Sequence, residues 1–181
     1  MILGCVLAGG LSTRFGSDKA LAELDGHTLL ARAVDTLAGW CDHVIIVGRP
    51  AGPAPCIPDW PRPQMGPLAG IAAALRFAQD EDYASVLTCG VDSLVLPPDL
   101  LEILTPAPAY LETQPVVGHW VKEAASIAQA ILQSEGRHSM FAFAEAARAR
   151  GVKSRHAPAN VNTPADLALL QGAAMERDDG I

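Results

Sequence analysis

Two glycines and two cations lie close together near the N-terminus, in a segment that follows an apolar run. Gly9 and Gly10 end that run, and Arg14 and Lys19 follow within the next nine residues. Glycine backbone approaches a ligand closely, and successive N–H groups beside cations bind anions. The alternative is a glycine turn with solvated cations, because the spacing matches neither the Walker A motif nor G-x-G-x-x-G. On these residues the segment favours a phosphate-binding site.

Two aspartates are candidates for a metal ion and a nucleotide. Asp92 follows the apolar segment in SVLTCGVDS, where a carboxylate can bind Mg²⁺ while phosphates and waters complete the metal's shell. A turn aspartate that caps a nearby helix is an equally good interpretation of it. Asp59 lies in a proline-rich segment, where a turn role is the better interpretation and an orienting contact to a base or ribose hydroxyl is the other.

Two further motifs place polar or helix-terminal groups where a ligand could bind. The sequence GPLAG at 66–70 puts Pro67 in a first helical turn, and a helix N-terminus favours negative charge or a base carbonyl. The later sequence NVNTP supplies Asn160 and Asn162, whose amides both donate and accept. Capping of a helix by Thr163 is the simplest account of that segment.

Three apolar or β-branched segments predict buried parallel strands, and helical patterns separate them. The strands are expected at Ile2–Ala8, His43–Val47 and Ala84–Thr88, with helices beginning after Thr28 and at Pro67. This alternation predicts an α/β domain with right-handed crossovers. Ligands bind beyond the carboxyl ends of strands in such sheets, so the three loops that follow the strands should meet at one crevice.

The composition bounds the remaining possibilities. With 181 residues, 50% hydrophobic and 18% charged, the chain predicts one packed domain over residues 1–174 and a disordered polar tail over 175–181. The net charge of -7 argues against nucleic acid or an anionic membrane as a partner. Neither a C-x-x-C pair nor a metal-binding histidine spacing occurs, and the first residues lack a signal or membrane segment. A cytoplasmic protein is therefore expected.

The ordered set of motifs resembles the molybdenum cofactor guanylyltransferases. The set is LAGGLSTRFGSDKALAEL, then GPLAG, an aspartate after the third strand and NVNTPADL, and it extends from about Leu3 to Leu170. The resemblance implies a Rossmann-like three-layer αβα nucleotidyltransferase fold with a mostly parallel sheet. It also implies magnesium-dependent transfer of GMP from GTP to the terminal phosphate of molybdenum-molybdopterin, with release of pyrophosphate.

The resemblance implies a role for residues of every motif. Arg14 and Lys19 would neutralise phosphate charge, Asp92 would hold Mg²⁺, and Asn160 and Asn162 would lie on the pterin side. The other implied nucleotide-binding positions are Leu7, Ala8, Gly9, Gly10, Asp59, Gly66, Pro67, Leu68 and Gly70. The expected partners are the small-molecule substrates, with other cofactor-biosynthesis proteins or molybdoenzyme chaperones as further candidates.

Three positions depart from the pattern of that family. The loop at Asp92 reads C-G-V-D-S in place of P-C-D-x-P, Val47 occupies the place of an asparagine, and Gln114-Pro115 replaces a His-Pro pair. A related enzyme that uses CTP or a sugar-phosphate acceptor, and a non-catalytic GTP-binding relative, are therefore alternatives. No general base is expected, because a phosphomonoester with a second pKa of ~6 is largely ionised at neutral pH.

Overall fold

The computed structural model describes residues 1–10, 18–155, 159–160, 165–166 and 168–169. The strands of this part of the chain are β1 (Ile2–Leu7), β2 (Glu23–Leu24), β3 (His27–Thr28), β4 (His43–Val47), β5 (Cys56–Ile57), β6 (Ser85–Gly90), β7 (Ser93–Val95), β8 (Ala109–Leu111), β9 (Gln114–Val121), β10 (Arg150–Val152) and β11 (Ala159–Asn160). The helices are α1 (Leu29–Ala38), α2 (Pro67–Asp80), α3 (Leu100–Ile103), α4 (Ala125–Gln133) and α5 (Met140–Ala146), with 3₁₀ turns at Lys19–Leu21 and Lys122–Ala124.

Seven of these strands form one sheet in the order β10-β8-β9-β6-β1-β4-β5. The central strand β1 pairs in parallel with both β4 and β6, and the pairs β4–β5 and β10–β8 are also parallel. Only β9 runs against its two neighbours, β6 and β8. The prediction of a mostly parallel sheet is confirmed, and the carboxyl ends of β1, β4 and β6 share one edge.

Helices cover both faces of this sheet, because its central strand is apolar on both sides. Leu3 and Cys5 of β1 pack in the cluster formed with α2, α4 and α5, whereas Val6 and Ala8 pack in the cluster formed with α1 and α3. Side chains alternate between the two faces of a strand, so a continuous apolar run is buried on each. The three-layer αβα architecture expected from the sequence follows.

The two predicted helices begin where their sequence signals place them. Thr28 caps α1, since its Oγ1 accepts a hydrogen bond from the Ala31 N–H at 3.1 Å. Pro67 is the first residue of α2, and Gly66 before it has a φ of 80°. Both helices turn a leucine- and alanine-rich face to the sheet.

Short strands are the elements that the sequence pattern did not predict. The proline-rich segment 49–66 contains β5, whose two residues sit at the sheet edge, where the Gly48 N–H donates to Ile57 O at 3.0 Å. After α5 ends at Ala146, the chain forms the three-residue strand β10. Strands of two or three residues are too short for alternation to be detected.

Of the two expectations for the C-terminal segment, a helix after Thr163 and a disordered tail, the structure bears only on the helix. Residues 165–166 and 168–169 are helical, in agreement with a helix after Thr163, while the 175–181 tail lies outside the described residues. Across the ranges the structure describes, no helix combines the length and the apolar character needed to cross a membrane.

Candidate active site

The loops after β1, β4 and β6 meet at one edge of the sheet. The Ala8 N–H donates to Val47 O at 3.0 Å, and the Val91 N–H donates to Leu7 O at 3.1 Å. These bonds continue the parallel ladders one step past the strands, so the three loops leave the sheet at the same level. The crevice predicted from the fold is present at this edge.

Glycines 9 and 48 lie back to back at the floor of the crevice. A Cβ added to Gly48 would lie 2.5 Å from the Gly9 Cα, and one added to Gly9 would lie 3.0 Å from the Gly48 Cα. Gly48 also has a φ of 89°, which L side chains rarely adopt. Next to this contact Gly9 and Gly10 are exposed, and no atom of the described residues lies within 4 Å of a Cβ added to Gly10. This is a bare strip of backbone that a ligand can approach closely.

The buried Lys19 side chain pairs with the Asp92 carboxylate at the same edge of the sheet. Lys19 begins the 3₁₀ turn Lys19–Leu21, is 8% exposed, and places its Nζ 3.4 Å from Asp92 Oδ2. Asp92 lies two residues beyond the end of β6, and its Oδ1 fills the space where a Cβ of Gly90 would lie. Residues 73 positions apart in sequence thus bring opposite charges together at the strand ends. Arg14, the other cation of the first loop, lies outside the described residues.

Asp59 presents a half-buried carboxylate to the same crevice. Its Oδ2 would lie 3.1 Å from a Cβ on Gly9 and 3.3 Å from one on Gly48, and its Oδ1 3.3 Å from one on Gly70. Within the described part of the chain, no hydrogen-bond donor reaches either oxygen. Burial raises the pKa of the Asp59 carboxyl. A carboxylate in this setting is free to accept hydrogen bonds from a ligand.

The start of α2 closes the crevice on the side of Asp59. Gly66 and Pro67 are exposed, whereas Leu68 and Gly70 are buried. Gly70 lets the helix approach β1, because a Cβ there would lie 2.7 Å from Leu7 Cδ2. Beside Asp59 a cavity of about 220 Å³ opens between this helix and the segment after β5. Of the predicted residues in this motif, Gly66 and Pro67 are therefore the ones that a ligand can reach.

Sequence reasoning missed an ion pair that joins the first two loops. The Arg49 guanidinium donates from Nη1 to Asp18 Oδ1 at 2.8 Å and from Nη2 to Asp18 Oδ2 at 2.7 Å. These hydrogen bonds hold the pKa of the Asp18 carboxyl below its usual range. The only local signal was the aspartate directly before Lys19, since the partner lies 31 residues away.

The three departures from the family pattern have structural explanations in this chain. Val47 is the last residue of β4 and is 1% exposed in the core, so Gly48 is the first residue beyond the strand. Gln114 is buried and accepts a hydrogen bond from Ser93 Oγ at 3.0 Å, which ties the segment after Asp92 to β9. Such a bond can hold this loop without the prolines of the family motif.

The pterin-side candidates are only partly described. Asn160 lies in β11, paired with Ser93 of β7, so its backbone runs beside the residue that follows Asp92. Asn162 lies outside the described residues.

The donor set at Asp92 suits magnesium better than a metal held by protein alone. Among the residues that the structure describes, no group of three or more histidine, cysteine, aspartate or glutamate side chains could hold a metal ion. Magnesium typically takes one or two carboxylates and completes its shell with phosphate oxygens and waters. Asp92, 36% exposed at the strand ends, could provide one such oxygen ligand.

Comparisons with known proteins identify the family of this chain. The chain is 34% identical over 176 residues to a molybdenum cofactor guanylyltransferase of Acidiphilium cryptum (strain JF-5), with 90% of each chain covered. It is 33% identical to one of Rhodopseudomonas palustris (strain HaA2), with 96% of this chain and 92% of the relative covered. The fold resembles the crystal structure of molybdopterin-guanine dinucleotide biosynthesis protein A from Archaeoglobus fulgidus, with a TM-score of 0.73, 21% identity, and 96% and 99% of the two chains covered. The model of the MobA-like NTP transferase domain matches residues 4–160, and the chain therefore belongs to this family.

Proposed function

We propose that this protein is a molybdenum cofactor guanylyltransferase, which transfers GMP from GTP to the terminal phosphate of molybdenum-molybdopterin and releases pyrophosphate. The main support is the meeting of Lys19 and Asp92, 3.4 Å apart, beside the exposed Gly9–Gly10 backbone. The names of the similar proteins, which cover nearly the whole chain, point to the same reaction.

The first loop would bind the triphosphate of GTP. Gly9 and Gly10 are exposed, and Leu7 and Ala8 lead the chain to them from β1. The Lys19 ammonium adds a fixed positive charge to their N–H donors, and Arg14 would add a second. Backbone donors and cations of this kind bind phosphates without a Walker A loop.

Asp59 would recognise the guanosine part of the nucleotide. Its two oxygens lie against the backbone of glycines 9, 48 and 70 and accept no hydrogen bond from the described chain. Guanine carries neighbouring N–H groups at N1 and N2, and a carboxylate accepts two parallel hydrogen bonds well. A ribose hydroxyl is the other donor that fits this position.

The chemistry needs positioning and charge neutralisation rather than a general base. An oxygen of the pterin's terminal phosphate attacks the α-phosphorus of GTP, and the bond between that phosphorus and the oxygen bridging to the β-phosphate breaks. The bond electrons leave with pyrophosphate. Lys19 would stabilise the charge that gathers on the leaving group, and a magnesium ion held by Asp92 would supply further neutralisation when bound. Asn160 and Asn162 would orient the pterin.

Thermal unfolding in the presence of nucleotides tests the nucleotide site. GTP, CTP and ATP are each added with and without magnesium, and a ligand at 100 times its Kd adds about 2.7 kcal/mol to stability. We expect a selective shift with GTP that Lys19→Ala removes. Lys153→Ala is the matched control, because the Lys153 side chain is 83% exposed and pairs only loosely with Glu112 at 3.9 Å.

The other outcomes separate the alternatives. A shift with CTP alone would assign the chain to the cytidine-using relatives, and no shift with any nucleotide, even with molybdopterin present, would refute the proposal. Tight GTP binding without pyrophosphate release, whichever acceptor is offered, would identify a non-catalytic relative. If pyrophosphate is released only when a sugar phosphate is offered as acceptor, the assigned acceptor changes from the pterin to that sugar phosphate.

A further inference from the structure

Asp18 and Arg49 form a two-point contact between the loops after β1 and β4. Both oxygens of Asp18 are used, at 2.8 Å and 2.7 Å from the two terminal nitrogens of Arg49. Parallel N–H bonds of this type fix direction as well as distance, which a single ammonium does not. The Arg49 side chain is 17% exposed and Asp18 44%, so the pair lies at the rim of the crevice.

Arg49 has few other constraints on its position. Its Nε is buried and finds no hydrogen-bond partner in the part of the chain that the structure describes. The terminal nitrogens on Asp18 are therefore the contacts that orient the guanidinium. Arg49 directly follows Gly48, whose backbone rests against Gly9, so the base of the side chain is fixed.

Asp18 also stabilises the 3₁₀ turn that follows it. Its Oδ1 also accepts the backbone N–H of Ala20 at 3.2 Å, and Asp18 is the N-cap of the 3₁₀ turn Lys19–Leu21. One carboxylate thus joins Arg49 to the turn that begins with Lys19. The direction of the Lys19 side chain depends on how this turn is held.

We propose that Arg49 is a positioning residue, which acts through Asp18 to aim the Lys19 ammonium at Asp92 and the phosphate site. The catalytic part of this inference rests on the proposed function. The pair joins two loops and lies outside the strands and helices of the main sheet. Removing it should therefore displace Lys19 while the fold persists.

The accessibility of the Lys19 amine tests this coupling without any nucleotide. Lys19 is 8% exposed, so a brief pulse of acetic anhydride, read by peptide mass spectrometry, should modify it slowly in the wild-type protein. The exposed amine of Lys153 is the internal reference. Arg49→Ala and Asp18→Ala should raise the rate at which the Lys19 amine is acetylated several-fold. Asp18→Asn keeps an oxygen for the Ala20 N–H and should raise it less.

Two further variants keep the test decisive. Arg49→Lys retains the charge but not the parallel bonds, so it should also raise the rate at which the Lys19 amine is acetylated. It replaces Arg49→Ala as the test variant if that protein fails to fold. Asp82→Ala removes a distant ion pair with Lys122 and should leave Lys19 unchanged. Equal Lys19 labelling in wild type, Arg49→Ala and Arg49→Lys would overturn the proposal.

A nucleotide titration shows whether the effect passes through Lys19. Arg49→Ala should weaken GTP binding in the wild-type background but add little loss in a Lys19→Ala background, because residues that act through one another are not additive. Full additivity would contradict the proposal and indicate a separate contact. If wild type binds no nucleotide, the proposed function fails, while the labelling experiment still decides whether Arg49 positions Lys19.

Discussion

Replacing Gly48 by alanine tests whether the back-to-back glycines set the position of the nucleotide loop. The new Cβ would lie 2.5 Å from Gly9 Cα, 2.8 Å from Gly9 N and 3.3 Å from Asp59 Oδ2. The first two neighbours are backbone atoms, which cannot rotate away as a side chain can. The chain at Gly9 must therefore move by about 1 Å to restore ordinary contact between carbon atoms.

The cost has two parts that can be separated. A non-glycine residue at the φ of 89° costs about 1–3 kcal/mol, and forcing an extra methyl into a packed contact costs about 1–3 kcal/mol more. Gly26→Ala is the matched control, because Gly26 has a φ of 76° but no atom of the described chain lies within 4 Å of an added Cβ. The difference between the two variants isolates the contact with Gly9.

Urea unfolding measures the loss of stability, and GTP titration measures the loss of nucleotide binding. We expect Gly48→Ala to lose more stability than Gly26→Ala and to bind GTP far more weakly, since a shift of about 1 Å at a reacting group can cost a hundredfold in rate. Gly26→Ala should bind GTP as wild type does. Equal destabilisation by the two substitutions, or wild-type GTP affinity in Gly48→Ala, would refute this reasoning.

Three further predictions concern the site and the core. Burial raises the pKa of the Asp59 carboxyl, so its contribution to stability is present below the unfolded pKa of about 3.9 and is lost as pH rises through the folded pKa. Asp59→Asn should therefore be more stable than wild type above the folded pKa but not below the unfolded pKa, as measured by urea unfolding at a series of pH values. The same variant should bind GTP more weakly, and its preference for GTP over inosine triphosphate should shrink if the carboxylate accepts from the 2-amino group. Thr88→Val should cost about 1–3 kcal/mol in urea unfolding, because the buried Trp120 Nε1 would lose its acceptor at 3.0 Å, and GTP affinity should stay at the wild-type value. Asp92→Ala should remain folded but lose the magnesium-dependent part of the GTP shift, and an unchanged magnesium effect would remove Asp92 from the metal site.

The sequence predicted the elements whose signals are local. β1 is apolar on both faces, α1 has a capping threonine, and α2 has a proline at its first position, so each could be placed from neighbouring residues alone. The meeting of Lys19 and Asp92 follows from one rule, that parallel strands end at the same edge of a sheet. Gly9 and Gly10 stood out because the turn after a strand rarely needs two glycines.

The missed features depend on contacts between distant residues. The partner of Asp18 is Arg49, and no spacing within either loop indicates that the two meet. The surroundings of Asp59 are formed by glycines from three different segments, so its lack of a hydrogen-bond donor among the described residues could not be predicted from the proline-rich loop. β5 is a two-residue strand that exists only because the edge of β4 is available to pair with it.

Product formation tests the central claim most directly. The purified protein is incubated with molybdenum-molybdopterin, GTP and magnesium, and the pterin product is identified by mass spectrometry while pyrophosphate is quantified. We predict equal amounts of molybdopterin guanine dinucleotide and pyrophosphate, with neither formed by Asp92→Ala. Absence of the guanine dinucleotide with active substrate, or a dinucleotide formed from CTP and not from GTP, would contradict the assignment.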